Sequence, residues 1–153
     1  MIFVTVGTQL PFPRLIEAMD KLAGRISEPV LAQTGVACSP RNLIVEPVMT
    51  EARYRKVLGL ARLVVSHAGI GTVIAARDAE KPIILVPRRA ELGEHRNDHQ
   101  IGTVRELIGR QGLQAVWDTD ELAELVTQDF TPPVATSGPA LDGLVSRLRS
   151  FIG

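Results

Sequence analysis

The sequence predicts an α/β fold, a single parallel sheet with helices on both faces. Three observations carry this reading. Short apolar runs rich in β-branched residues alternate along the chain with stretches of helical periodicity. Runs such as Ile83-Ile84-Leu85-Val86 are apolar at every position, as a sheet covered on both faces requires. Glycines then follow several of these runs where a strand must turn into a helix.

Each element has its own signal. Ile2–Val6 is an apolar strand stopped by Gly7-Thr8. After Pro11 and Pro13, the positions Leu15, Ile16, Met19, Leu22 and Ala23 recur at helical spacing, and Gly24 closes that helix. Val30–Thr34 and Asn42–Val48 read as the second and third strands. Thr50 is placed to cap a helix whose buried face is Tyr54, Val57, Leu58 and Ala61. Leu63–Ser66 is a fourth strand, and Gly69-Ile70-Gly71-Thr72 opens a helix running to about Glu80. Lys81-Pro82 breaks that helix before the strand Ile83–Val86, and residues 88–97 form a long polar loop. A helix from about Asp98 to Arg110 and a strand Leu113–Trp117 follow. The spacing then predicts helices over 119–127 and 140–152, the last with Leu141, Leu144, Val145, Leu148, Phe151 and Ile152 on one stripe. Pro132-Pro133 to Pro139 reads as a linker within one domain spanning 1–153.

Composition narrows the function classes. With 45% hydrophobic and 22% charged residues the chain has globular rather than disordered composition. Lys plus Arg equal Asp plus Glu at 17 each, so no basic face is expected for nucleic acid. Cys38 is the lone cysteine, which leaves no intrachain disulfide and no cysteine zinc site. No apolar run approaches the roughly 20 residues of a membrane span. These features point to a soluble domain of a reducing compartment.

In open parallel sheets ligands bind beyond the carboxyl ends of the strands. Three loops there hold suitable chemistry. Gly7-Thr8-Gln9 and Ser66-His67-Ala68-Gly69-Ile70-Gly71-Thr72 let backbone approach an anion closely. Both also read as tight turns and nothing more, and neither matches a P-loop or G-x-G-x-x-G. The third, Arg88 to Gln100, is dense in hydrogen-bonding side chains, though three arginines balanced by Glu91, Glu94 and Asp98 also describe a solvated loop. His95 and His99 are spaced for a metal but lack a third ligand. Asp118-Thr119-Asp120-Glu121 is better read as a capping box than as a metal-nucleotide motif.

Together, Ile2-Phe3-Val4-Thr5-Val6-Gly7-Thr8, Ser66-His67-Ala68-Gly69-x-Gly71-Thr72, Lys81-Pro82 and Asn97-Asp98-His99-Gln100 resemble the C-terminal domain of glycosyltransferase family 28. The likeness covers about residues 1–127. It is nearest to stand-alone members: the catalytic subunit of the eukaryotic GlcNAc transferase for dolichol-linked sugar, and bacterial PssE-type exopolysaccharide glucuronosyltransferase subunits. It implies the Rossmann-like half of a GT-B enzyme that holds a UDP-sugar. By this resemblance Gly7, Thr8 and Gln9 lie near the diphosphate, and the backbone of Val48 pairs with uracil. Ser66, His67, Gly69, Gly71 and Thr72 face the diphosphate, while His99 and Gln100 hold sugar hydroxyls. The family's acidic ribose contact is replaced by Ala75, so either Asp78 or a partner residue takes that part or the ribose is held differently.

The implied activity is metal-independent, inverting transfer of a sugar to a lipid-linked saccharide acceptor in polysaccharide biosynthesis, with no cofactor. The general base would belong to a membrane-anchored acceptor-binding partner, which would hold this cytoplasmic chain at the inner membrane face. The other classes are a nucleotide-sugar-binding or regulatory module without catalysis and an oligomer built on the last helix. Arg88, Arg89, His95, Arg96 and Asn97 complete the candidate set. Their arginines would favour a uronate donor by pairing with its carboxylate. Glu91 and Glu94 compete for the same arginines, which leaves a neutral GlcNAc or glucose donor open.

Overall fold

The computed structural model describes residues 1–134, together with Gly143 and Ser146. Most of the expected final helix and most of the proline linker lie outside the described residues. Six strands form one sheet: β1 (Ile2–Thr5), β2 (Val30–Gln33), β3 (Ile44–Val45), β4 (Leu63–His67), β5 (Ile83–Val86) and β6 (Leu113–Ala115). Their order is β3-β2-β1-β4-β5-β6 and every pairing is parallel. The chain therefore winds outward from β1 in one direction and from β4 in the other. The loops after β1 and β4 part at that switch point and leave a crevice between them.

The pleat distributes the apolar runs between two cores. Ile2, Val4, Leu63, Val65, Ile84 and Val86 face α1 (Pro13–Ala23) and α5 (Leu122–Leu125). Phe3, Val64, Ile83 and Leu85 face α2 (Glu51–Leu60), α3 (Ile70–Asp78) and α4 (His99–Leu107). Burial on both sides explains why these strands carry no polar alternation.

Several boundaries differ from the sequence reading, each for a local reason. β3 shrinks to two residues on the sheet edge, because Pro47 has no N–H to extend the ladder and Glu46 N already donates to Ala32 O at 3.0 Å. α4 stops at Leu107 because Ile108 is extended (ψ 138°) and Gly109 takes φ +87°. The helix expected over 119–127 is a 3₁₀ turn, Thr119–Glu121, leading into the four-residue α5. Thr50 caps α2 as expected, its Oγ1 accepting from Arg53 N at 3.2 Å. Asp118 and Glu121 form the expected capping box, Glu121 Oε1 accepting from Asp118 N at 3.0 Å. Among the described residues no helix is long and apolar enough to cross a membrane.

Ile84 is fully buried in the centre of the sheet. Replacing it with alanine is expected to cost about 2–5 kcal/mol, read as a lower urea midpoint with an unchanged slope.

Candidate functional site

A cleft of about 670 Å³ opens at the carboxyl ends of the strands, across the β1/β4 switch point. It runs from the β2 side, where Gln33, Met49, Glu51 and Tyr54 lie, over the two glycine loops to His95, His99, Gln100 and Thr103 beyond β5. Of the residues singled out from sequence, Gly7, Thr8, Gln9, His67, Gly69, Gly71, Thr72, Arg88, His95, His99 and Gln100 line it. Ser66, Val48, Arg89, Arg96 and Asn97 do not.

His67 closes β4, and its imidazole is held between the glycine loops. A Cβ on Gly69 would stand 2.8 Å from its Cε1 and closer still to Nε2; one on Gly7 would stand 2.9 Å from Cε1. Gly7 also has φ +77°, a conformation costly for other residues. Both glycines thus make room for a protein side chain before any ligand arrives. Ser66 is fully buried beneath the cleft, a correction to its expected ligand role. Its hydroxyl donates to Thr5 O at 3.0 Å and lies 3.2 Å from His67 Nδ1. A hydroxyl has one proton, so Nδ1 must carry the ring proton and Nε2 is left as an acceptor. Burial, reinforced by the Arg88 charge, lowers the His67 pKa to about 4. The ring is therefore neutral near neutral pH, and positive potential in the cleft comes from elsewhere.

One source is α3. Gly69 is its N-cap with no side-chain cap, and the first-turn amides of Ile70 and Gly71 have no acceptor within the helix. Nine residues of aligned peptide dipoles add partial positive charge at that end. Nothing lies within 4 Å of a Cβ placed on Gly71, so that part of the turn is open to a ligand.

The other source is Arg88, which is 2% exposed. Its terminal nitrogens donate to Val6 O (3.0 Å), Leu10 O (2.6 Å), Pro11 O (2.6 Å) and Glu94 O (3.5 Å), and the guanidinium lies 4.5 Å from the Phe12 ring centre. Burial lowers its pKa, opposed by Glu94, yet a guanidinium stays charged. With its terminal N–H groups engaged on these carbonyls, Arg88 holds the loop after β1 and cannot fork onto a sugar carboxylate.

Arg89 is likewise engaged, so neither it nor Arg88 offers a free fork to a sugar carboxylate. Arg89 donates to Trp117 O and pairs with Glu91 at 3.6 Å, away from the cleft. Arg96 is exposed and outside the lining. Glu94 accepts from Arg14 (2.6 and 2.9 Å) and from Arg89 N (2.9 Å). Burial pushes the Glu94 carboxyl up, but these donors outweigh it and leave its pKa below the ordinary value. Asn97 Oδ1 takes His99 N at 3.2 Å, and Asp98 Oδ1 takes Ala90 N at 3.0 Å, so both serve the loop itself.

Gln100 joins the two halves of the site. Its Oε1 accepts from Ala68 N (3.2 Å) and Arg88 N (3.0 Å). Two amide donors fix that atom as oxygen and leave the NH₂ group as the end able to donate to a ligand. Val48 is 72% exposed, and its neighbour Met49 lines the cleft instead. Asp78 ends α3 at the pole away from the cleft and does not line it. Sequence reasoning missed Thr5, Gln33, Met49, Glu51 and Tyr54. Gln33 carried a signal, a polar residue ending the apolar run Val30-Leu31-Ala32; Thr5 donates to its Oε1 at 2.5 Å. Tyr54 packs edge-on to Phe3 at 5.4 Å; burial raises its pKa against hydrogen bonds with Thr72 and Thr5. Among the described residues no three His, Cys, Asp or Glu side chains gather to hold a metal ion.

The model of the glycosyltransferase family 28 C-terminal domain matches residues 1–138. No curated protein matches the chain. The NMR solution structure of ALG13 is similar at 19% identity and a TM-score of 0.63, over 94% of this chain and 93% of that one. The glycotransferase of kitacinnamycin matches at 18% identity and a TM-score of 0.63, over 98% of this chain and 38% of that one. The calicheamicin glycosyltransferase CalG4 matches at 18% identity and 0.60, over 99% and 37%. The chain thus spans less than two fifths of those two enzymes. At such identities the likeness is one of fold, and it agrees with the expected half of a GT-B glycosyltransferase.

Two predictions follow from the position of His67. Gly69→Ala should destabilise the protein and Gly69→Ala/His67→Ala should recover part of the loss, since the clash is with that ring; urea midpoints of the four proteins in the cycle measure the coupling. The second concerns pH. The unfolded chain protonates this histidine near 6.5 and the native chain only at about 4, so the unfolded state binds more protons between those values. Stability should therefore fall as pH drops through that window, by about 3 kcal/mol from this group. His67→Gln should flatten the decline in a series of urea melts.

Proposed function

The chain belongs to the glycosyltransferase family 28 C-terminal domain family, and from that premise we propose that its cleft holds a UDP-sugar for transfer. The observation that carries this reading is the convergence at one switch point of the α3 amides, two glycine loops and the outward NH₂ of Gln100. The diphosphate lies against the α3 N-terminus and the first glycine loop, where helix dipole and first-turn amides favour an anion. The buried Arg88 charge adds to that potential without touching the ligand. The sugar extends toward His95, His99 and Gln100. A volume of about 670 Å³ suits a ligand of this size.

Chemically, the departing UDP gathers negative charge as the sugar bond breaks. Amides and a helix N-terminus already oriented toward it stabilise that charge without reorganising. The described residues of the cleft offer no carboxylate beside Gln100 to deprotonate an acceptor, which supports a general base supplied from outside this chain. We therefore read residues 1–153 as one donor-binding domain, the subunit of a two-component inverting glycosyltransferase. Its partner is a membrane-anchored subunit presenting a lipid-linked saccharide. The near-complete overlap with ALG13 supports a stand-alone donor domain. Arg88 and Arg89 are engaged within the protein and Arg96 lies outside the cleft lining, which favours a neutral hexose.

Calorimetry is expected to show UDP binding with EDTA present, weakened in Gln100→Ala, and no preference for UDP-glucuronate over UDP-glucose. No heat of binding at millimolar UDP would refute the donor-site reading. Transfer to a lipid-linked acceptor should require the partner subunit, and robust transfer by the chain alone would refute the two-component assignment.

A further inference from the structure

We propose that Arg14 is a positioning residue for the sugar end of the donor: through Glu94 and Pro87 it sets the loop that aims the NH₂ group of Gln100 into the cleft. The proposal rests on reading the cleft as a nucleotide-sugar site. It adds a residue that does not line the cleft and on which sugar binding nonetheless depends.

Arg14 stands where local rules disfavour it. It is the second residue of α1, whose first turn holds no acidic residue, and a cation at a helix N-terminus opposes the dipole. The reason for its place is tertiary. Its Nε and Nη2 form a fork on Glu94 at 2.6 and 2.9 Å, and Nη2 also donates to Pro87 O at 3.0 Å. The two side chains are only 21% and 10% exposed, so the pair is held more firmly than a surface ion pair. The Arg14 guanidinium also lies over the Phe12 ring, 5.2 Å from its centre.

The loop that Arg14 grips is folded on three consecutive amides. Arg88 N donates to Gln100 Oε1 (3.0 Å), Arg89 N to Glu94 Oε2 (2.9 Å) and Ala90 N to Asp98 Oδ1 (3.0 Å). Side chains from the later part of the loop are thereby fastened to its beginning. Arg14 brackets the first of these amides: it holds Pro87 O on one side of Arg88 and, through Glu94, Arg89 N on the other. Arg88 N and Ala68 N together fix the Gln100 oxygen, and the direction of the NH₂ group follows from that. Without the fork Glu94 loses two charge-assisted donors, and a carboxylate so little exposed then turns toward water. Arg89 N moves with it, and Gln100 loses its aim. The Arg88 side chain still ties the loop to Val6, Leu10 and Pro11, so the loss loosens the aim rather than the fold. The first-turn amides of α3 take no part in this network, so the effect falls mainly on the sugar end.

The test is calorimetry of UDP and UDP-glucose on the full chain and on Arg14→Ala, Arg14→Lys, Gln100→Ala and Arg14→Ala/Gln100→Ala. Arg14→Ala should weaken UDP-glucose about fivefold more than it weakens UDP, the scale of one neutral hydrogen bond. Arg14→Lys keeps the charge but loses the fork, so it should show the same bias in smaller measure. The double variant should bind UDP-glucose no more weakly than Gln100→Ala, because Arg14 acts through Gln100. A merely structural role would weaken both ligands alike and add to the effect of Gln100→Ala. Equal weakening of the two ligands by Arg14→Ala, no weakening of either, or additivity with Gln100→Ala overturns this proposal and leaves the donor-site reading standing. Failure of wild type to bind UDP at all overturns both. Urea midpoints report whether each variant folds; if Arg14→Ala does not, the same comparison with Arg14→Lys, alone and combined with Gln100→Ala, decides.

Discussion

The guanidinium of Arg88 is the contact on which the site depends. It sits at the end of the fifth strand, buried, and draws the carbonyls of Val6, Leu10 and Pro11 around itself. Those carbonyls belong to the loop that leaves the first strand, so one side chain ties together the two strands that flank the fourth. A charge taken out of water this far is costly unless it is fully hydrogen-bonded. Here four carbonyls and the face of Phe12 offset that cost. Arg88 is thus bound to the shape of the loop, and the loop to Arg88. Its charge faces His67, whose pKa is lowered by burial first and by Arg88 second.

The same economy of space governs His67. Its ring fills the gap between two glycines, fixed below by Ser66 and the carbonyl of Thr5. A glycine at each position is required by the imidazole whether or not a ligand is present. Backbone thinness at Gly71 alone remains open toward solvent. The anion-attracting part of the site is therefore narrow: the first turn of the third helix, with the buried Arg88 charge behind it. Gln100, accepting from one amide of each flanking loop, sets the width of the mouth.

The polar loop after the fifth strand shows how charge density misleads when pairing is unknown. Three arginines in nine residues look like a ligand-binding cluster. In the folded chain Arg88 turns inward, Arg89 reaches Trp117 O, and Glu94 is taken by Arg14, 80 positions earlier in the sequence. None of these partners is near in sequence except within the loop itself. The net result is a stiff loop that presents His95, His99 and Gln100 to the cleft, rather than a positively charged one.

The sequence by itself determined the layer architecture. Uninterrupted apolar runs such as Ile83–Val86 can be buried only between two layers of helix, and turn residues such as Gly7 and Gly69 mark where strands give way to helices. Local chemistry was legible as well: the Thr50 cap and the Asp118–Glu121 box are contacts within four residues, set by the chain's own geometry. So were the glycine loops and the pair His99-Gln100, because α/β topology places every loop after a parallel strand on the same edge of the sheet. What only the tertiary structure decided were contacts of long sequence separation. Arg88 meets Leu10 across 78 positions, and Arg14 meets Glu94 across 80. Glu51 and Tyr54 enter the cleft because the second helix packs beside the first strand. No periodicity or spacing encodes such meetings; they follow from strand order and from which way each helix turns its face.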